Sequence, residues 1–211
     1  MKNKTLIIVL ILLISFATNA QKTKTVLYYK NGDSIVGFSK GVHYDLIKFS
    51  NEKKGKYRKK DITNIKKVIL YYKNGKEEYH HLYVKKRRKV EEFYSRLVLK
   101  GPINYYIYSS QYTHNFTSFK NINIGNGKTL NQVTQERSNH NVNIIYLKNK
   151  KSKHAVYISD LYFSLFGAKI FRKNAATFFN DCPKLAKKIK SKELKKPDII
   201  EIVEFYNNNC N

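Results

Sequence analysis

Acidic side chains are scarce in this chain, in which 15 aspartates and glutamates stand against 41 lysines and arginines. A glycosidase that works with two paired carboxylates therefore has no support from the sequence. The motifs HExxH, CxxC and GxSxG are missing as well. Adjacent His80 and His81 would leave a strand on opposite faces, and His43 with Asp45 supplies only two ligands. We predict no metal site and no cofactor.

A second apolar run long enough to span a bilayer is also absent, because the only long run is Leu6 to Phe16. Lys2 and Lys4 precede that run and Ala20 follows it, which is the pattern of a secretory signal peptide over residues 1–20. No cysteine follows the run, which disfavours a lipoprotein. A retained N-terminal helix is the alternative. We predict an exported protein, periplasmic or extracellular, without an integral span after cleavage, either free or peripheral to the outer membrane.

The net charge points to anionic partners. Beyond residue 20 the chain has 39 basic and 15 acidic residues, a formal charge of +24. Such an excess attracts nucleic acid, lipopolysaccharide and acidic polysaccharide. An AT-rich coding sequence is the competing explanation, because only six of the basic residues are arginine. That bias explains the preference for lysine better than it explains the scarcity of acids.

The hexapeptide LYYKNG occurs twice, at 27–32 and 70–75. Each copy places Asn-Gly between β-branched and aromatic segments, which predicts the corner of a β-hairpin. A degenerate third copy at 143–150, with 155–158 as the returning strand, predicts another hairpin. A duplicated ligand loop is the alternative, but turn chemistry already accounts for every residue of the repeat.

Further along the chain, residues 90–99 carry apolar side chains at helical spacing and predict a helix, whereas 103–108 predict a strand. Residues 113–141 are polar and predict a surface loop or insertion. Within them, GNGKT at 125–129 resembles a phosphate loop, but Ile122 stands where the first glycine is required.

The C-terminal part predicts helices at 173–181, 183–191 and 197–207, with Pro183 and Pro197 in first turns. The fold class that follows is α+β, a mainly antiparallel sheet or partly closed barrel built from hairpins, with a C-terminal helical hairpin. Its organisation is a β-rich unit at 21–112, the polar segment at 113–141, and a closing hairpin with helices at 142–211 that forms one domain with 21–112.

Two cysteines, Cys182 and Cys210, flank the last two predicted helices. An oxidising compartment would allow them to pair as a disulfide. Two inert free thiols are the alternative, and a reactive thiol beside Asp181 is less expected than either.

The candidate binding site is a cluster of basic and aromatic residues. Cations can hold a polyanion, and exposed aromatic rings can stack on its sugars or bases. The predicted ligand-binding residues are Lys85, Lys86, Arg87, Arg88, Lys89, Tyr105 and Tyr106. The opposing interpretation is that strands favour tyrosine and that lysine runs are solvated faces.

The C-terminal string FFNDCPKLAKKIKSKELKKPDIIEIVEFYNNNC, the NGD hairpin and EEFYSRLVLKGPINYYIY resemble secreted proteins of unknown function that are common in Bacteroidetes. In those proteins a β-rich part precedes a short helical tail with a similar Asp-Cys-Pro. The resemblance implies a Gram-negative envelope location. It implies that Asp181, Cys182, Pro183, Tyr206 and Asn207 are fold markers, and it supplies no catalytic residues.

The function expected from these observations is non-catalytic. We expect an exported binding or envelope-associated accessory protein that contacts an anionic polymer or envelope component through a surface of lysine and tyrosine. The alternative is a hydrolase acting on an anionic envelope or extracellular polymer. A cleft with two close acids, or with His43 or His140 beside an acid, would favour the enzyme.

Overall fold

The structure is a computed structural model that describes residues 22–44, 46–86, 89–123, 129–161 and 167–210, with the backbone alone for 111–141. The predicted signal peptide, Arg87 and Arg88 lie outside the described residues. Most of the described chain is antiparallel β-sheet, and three α-helices follow it. This confirms an α+β, mainly antiparallel fold. The chain divides into two compact units, Met1–His81 and Leu82–Asn211.

The elements are numbered in chain order. The strands are β1 (Thr23–Tyr29), β2 (Ser34–Val42), β3 (Ile47–Ser50), β4 (Arg58–Lys60), β5 (Ile65–Tyr72), β6 (Gly75–Lys86), β7 (Lys89–Leu99), β8 (Ile103–Asn123), β9 (Thr129–Asn149) and β10 (Val156–Asp160). The helices are α1 (Gly167–Phe178), α2 (Pro183–Lys190) and α3 (Ile199–Asn209), and a short 3-10 turn, Lys196–Asp198, leads into α3.

The first unit is a sheet in the order β4-β3-β2-β1-β5-β6. Both LYYKNG copies are hairpin corners, as predicted: Tyr28 pairs with Ser34 across the first and Tyr72 with Gly75 across the second. Their glycines have φ of 99° and 148°, a region that glycine adopts without steric cost. Because β1 pairs antiparallel with β5, the strands of the two copies lie side by side with their corners at opposite ends.

The strands of the second unit are the C-terminal part of β6, followed by β7 to β10, with β7-β8, β8-β9 and β9-β10 paired antiparallel. The helix predicted for 90–99 is wrong, since these residues form β7, where Arg96 pairs with Ile107. The hairpin predicted at 143–150 and 155–158 is confirmed by the pairing of Val156 with Leu147.

The polar segment 113–141, expected as a loop or insertion, continues β8 and β9 over its described residues. The pairing runs without interruption from Ile103 with Asn149 to Asn123 with Thr129. Backbone hydrogen bonds pair two strands whether or not their sequences alternate apolar and polar residues. The polar sequence therefore gave no signal that predicts these strands.

Side chains of the second unit form two buried clusters. The helix-side cluster joins sheet residues such as Tyr105 and Ile145 to all three helices. The strand-side cluster contains Leu82, Val84, Phe93, Tyr106, Tyr146 and Ala155. Tyr105 and Tyr106 belong to different clusters because successive residues of a strand face opposite sides of the sheet.

The helices are tied to each other and to the sheet. Cys182 and Cys210 form a disulfide, which confirms the predicted pairing. The Tyr206 hydroxyl donates to the Asp181 carboxylate at 2.7 Å. The Asn207 side chain accepts from the Ile103 backbone N–H at 2.8 Å and donates to its carbonyl at 3.0 Å. No helix in the described ranges is long and apolar enough to cross a membrane.

Candidate functional site

The predicted basic run lies at the ends of β6 and β7. Lys85, Lys86 and Lys89 are exposed there. The Glu91 carboxylate pairs with Lys86 at 2.5 Å and with Lys89 at 3.0 Å. Hydrogen bonds from these two ammonium groups, first Lys86 and then Lys89, hold the Glu91 pKa below its usual range. Part of the run's charge is therefore compensated within the protein.

The two tyrosines predicted to accompany the run are core residues. Tyr105 and Tyr106 are 2% and 1% exposed, and they lie on opposite faces of β8. Burial raises the pKa of Tyr105 to about 12, against a smaller lowering effect of Arg96. Neither ring is available for stacking on a ligand, so the structure does not bring the predicted set together at the surface.

Lysines do meet tyrosines in the first unit. The Lys22 and Lys40 ammonium groups lie 5.5 Å and 5.4 Å from the centre of the half-buried Tyr57 ring, and the Lys67 ammonium group lies 4.6 Å from that of Tyr28. These are cation–π distances. Each of these rings already contacts a lysine of the same chain. The sequence analysis did not predict these contacts.

A histidine beside an acid occurs in the first unit at His80, whereas Asp45 and the side chain of His140 lie outside the described residues. His80 Nε2 lies 2.7 Å from Glu78 Oε1, and Lys67 Nζ lies 3.3 Å from the same oxygen. Burial raises the Glu78 pKa, but hydrogen bonds and charges from His80 and Lys67 together hold it below its usual value. Among the described residues, no group of three potential metal ligands is present.

A concentration of cations without ion-pair partners among the described residues lies in a groove on the helical part of the second unit. This basic groove has a volume of about 570 Å³ and is lined by Lys169, Arg172, Lys173, Ala176, Thr177, Asn180 and Lys190. Four of its seven described lining residues are cationic. Within the described part of the chain, no carboxylate lies within ion-pair distance of these four.

The groove's charge comes mainly from α1. Lys169, Arg172 and Lys173 are spaced i, i+3 and i+4, so they share one face of that helix. Like charges at this spacing destabilise a helix, and Lys169, in the first turn of α1, also opposes the helix macrodipole. Lys190, by contrast, lies in the last turn of α2, where a cation is favourable. The α1 cations therefore reduce the stability of the free helix and favour a bound anion.

A second cavity adjoins the groove and shares Arg172 with it. This apolar pocket has a volume of about 270 Å³ and is lined by Ala168, Phe171, Arg172, Ile189, Lys192, Leu194, Lys195, Lys196 and Pro197. Phe171, Ile189 and Leu194 belong to the helix-side cluster, so core side chains form its floor. Its other lining residues include four cations, and no acid lines it among the described residues.

One of those cations has an unusual backbone conformation. Lys192 follows α2 with a φ of 67°, which makes it the one non-glycine residue with positive φ in the described ranges. Its N–H donates to the Ile189 carbonyl at 3.3 Å, and the Leu194 N–H donates to the Lys188 carbonyl at 3.2 Å. Glycine usually occupies this position after a helix. Here the chain places a lysine beside the pocket at a conformational cost.

Sequence reasoning missed this site. The predicted helix began at Lys173, whereas α1 begins at Gly167, so the shared face of Lys169, Arg172 and Lys173 was not recognised. The i, i+3, i+4 spacing of the three cations is a signal that could have identified it.

Comparison of the chain with protein-family models, with curated proteins and with solved structures finds no match.

Proposed function

We propose that this protein is an exported, non-catalytic binding or envelope-associated accessory protein that contacts an anionic polymer through the basic groove. The observation that carries the proposal is the set of four cations in the groove without a described acidic partner. A polyanion releases condensed counterions when it meets such a surface, which favours binding. The resemblance to secreted Bacteroidetes proteins and the signal-peptide pattern support an envelope location.

Two features of the fold accompany this proposal. We infer that the strands of the second unit curl into a partly closed barrel. The parallel bridge between Val84 and Ala155, with the Ala155 N–H donating to the Tyr83 carbonyl at 2.8 Å, supports that closure. We infer also that α2 and α3 form a helical hairpin, supported by the disulfide across them. Both features would restrict the motion of the helices that line the groove.

The test is binding of the mature protein, beginning at Gln21, to heparin, duplex DNA and lipopolysaccharide over a series of salt concentrations. The groove variant is K169Q/K173Q. The matched control is K184Q/K187Q, which removes the same charge from exposed positions of α2 that line neither cavity. For duplex DNA, losing two phosphate contacts should reduce the salt slope by about 1.8.

A selective loss in the groove variant supports the proposal. Equal behaviour of the groove and control variants at every salt concentration would reject the groove. A third variant, K85Q/K86Q, reports on the basic run predicted from the sequence. If that variant alone weakens binding, the polymer contacts the ends of β6 and β7 instead.

The alternative function, a hydrolase of an anionic polymer, has one favourable observation in the Glu78–His80 pair. A histidine held by a carboxylate can act as a general base. The test is release of soluble fragments from acidic polysaccharide by the mature protein and by H80N. Turnover that the substitution abolishes would replace the binding proposal, and an absence of turnover by the unaltered protein would reject the enzyme.

A further inference from the structure

We propose that the apolar pocket holds the alkyl chain of a single-chain anionic amphiphile whose phosphate or carboxylate head lies against Arg172. This inference rests on the proposed function, because it assigns the ligand class of the same basic face. It adds an apolar requirement that an anionic polymer alone would not have.

The floor of the pocket makes it suitable for an apolar chain. Phe171 and Ile189, which are 1% and 0% exposed, lie beneath the pocket in the helix-side cluster and support its lining. Leu194 is 8% exposed, and the alkyl stems of the lining lysines add apolar surface that a chain can contact. Ala168 and Pro197, both exposed, complete the apolar lining. A cavity with walls fixed by core packing is largely preformed, so a chain entering it has little protein to reorganise.

The cations define the charge of the ligand. Arg172 lines both the pocket and the groove, so a chain in the pocket can place its head between them. Lys196 Nζ is directed to the Asp160 carbonyl at 3.1 Å. Neither Arg172 nor Lys192 has an ion pair with a described residue, and Arg172 is half-buried. A planar guanidinium can bind a phosphate or carboxylate through two parallel hydrogen bonds.

The end of α2 adds a second cation to the pocket, because Lys192 ends the helix in the left-handed conformation and also lines the pocket. A lysine in the left-handed region is strained where a glycine would not be. Strained residues of this kind cluster at binding sites, where the surrounding structure maintains them. Lys192 is such a residue and lies in the pocket lining.

The volume limits the size of the chain. About 270 Å³ lies just below the range of about 300–1,000 Å³ that is common for small-molecule sites. The pocket therefore suits one alkyl chain and not a diacyl lipid with both chains inserted. Each methylene that leaves water should strengthen binding about fourfold, until the cavity is full.

The experiment measures binding of ethyl phosphate and decyl phosphate to the mature protein by calorimetry, below the micellar concentration. Inorganic phosphate and an uncharged decyl glycoside are the controls. Decyl phosphate should bind at least a hundredfold more tightly than ethyl phosphate, and the glycoside should bind more weakly than decyl phosphate. Equal affinities for ethyl and decyl phosphate would overturn the proposal.

Two variants separate the pocket from the groove. A168F fills the pocket from an exposed position and should remove the chain-length dependence while leaving heparin binding unchanged. N208F, the same side chain at an exposed position of α3, is the control and should alter neither. Circular dichroism and thermal melting verify that both variants fold. If A168F folds and retains the chain-length dependence, the pocket is not the site.

The outcomes distinguish this inference from the proposed function. If K169Q/K173Q loses heparin binding and the unaltered protein shows no preference for decyl phosphate, the groove proposal stands and the pocket proposal is overturned. A preference for decyl phosphate without binding to any polymer would leave the pocket and reject the polymer. Binding to anionic phospholipid vesicles without binding to monomeric decyl phosphate would assign the basic face to a membrane surface and overturn the pocket.

Discussion

Breaking the Cys182–Cys210 disulfide by Cys210→Ala should lower the free energy of unfolding by about 3.5 kcal/mol. The two cysteines are 28 residues apart, and the segment they close contains α2 and α3. In the loop-entropy model, opening a loop of this length restores that amount of entropy to the unfolded chain. The loss would be a large part of the stability of an ordinary domain, which is about 5–15 kcal/mol.

A packing contribution can be separated from the loop contribution. Cys182 is 7% exposed in the helix-side cluster, whereas Cys210 is only partly buried. The double variant C182A/C210A should therefore be less stable than C210A by about a further 1 kcal/mol, because it removes a buried sulfur as well. Cys182→Ser is less suitable, since serine at this N-cap of α2 could add a helix-capping hydrogen bond.

Urea unfolding, followed by circular dichroism with reductant present for C210A, measures both effects. The oxidised protein treated with a reductant should match C210A. A decrease below about 1 kcal/mol in C210A, with an unchanged dependence on urea, would refute the loop argument. It would mean that the disulfide restricts the unfolded chain far less than its loop length predicts.

Three other perturbations have defined outcomes. Lys192→Gly should raise the free energy of unfolding by about 0.5 kcal/mol, because relief of the left-handed strain exceeds glycine's entropy cost. The control Lys187→Gly, inside α2, should lower the free energy of unfolding by about 1 kcal/mol. Equal losses for the two variants in urea unfolding would contradict the strain argument. Gly101→Ala should lower the free energy of unfolding by about 2 kcal/mol in the same assay, because its new methyl group would displace Asn207 from both hydrogen bonds to Ile103. An unchanged urea midpoint would show that those hydrogen bonds contribute little to stability. Burial first, and then the Asp181 hydrogen bond, raise the pKa of Tyr206 to about 12, so its stabilising contribution is complete below pH 10 and is lost as the pH rises through 12. Tyr206→Phe should reduce the fall of the urea unfolding midpoint between pH 10 and 12. An equal fall in the variant and the unaltered protein would contradict this assignment.

The hairpins were predictable because their determinants are local. An Asn-Gly corner between β-branched and aromatic segments specifies a turn within a few residues, and both LYYKNG copies form one. The start of α2 at Pro183 was predictable for the same reason, since proline suits a first helical turn. Candidate partners for the disulfide were limited to two cysteines.

Other features depended on distant residues. The apolar spacing of 90–99 fits a helix, but pairing with β8 makes the segment a strand. In the polar segment 113–141, the described residues are strands because the backbone ladder continues, without any apolar pattern to indicate it. Short patterns are ambiguous in this way because a neighbouring strand can outweigh local preference.

The candidate site shows the same division. The sequence by itself determined the net positive charge, the turn positions and the only possible cysteine pair within the chain. Charge, turn chemistry and the number of cysteines are properties of the chain itself. Only the tertiary structure decided that Tyr105 and Tyr106 are buried on opposite faces, and that Arg172, Ile189 and Lys192 line one pocket. The physical reason is that burial and concavity arise where separate elements pack together, and no local pattern specifies that packing.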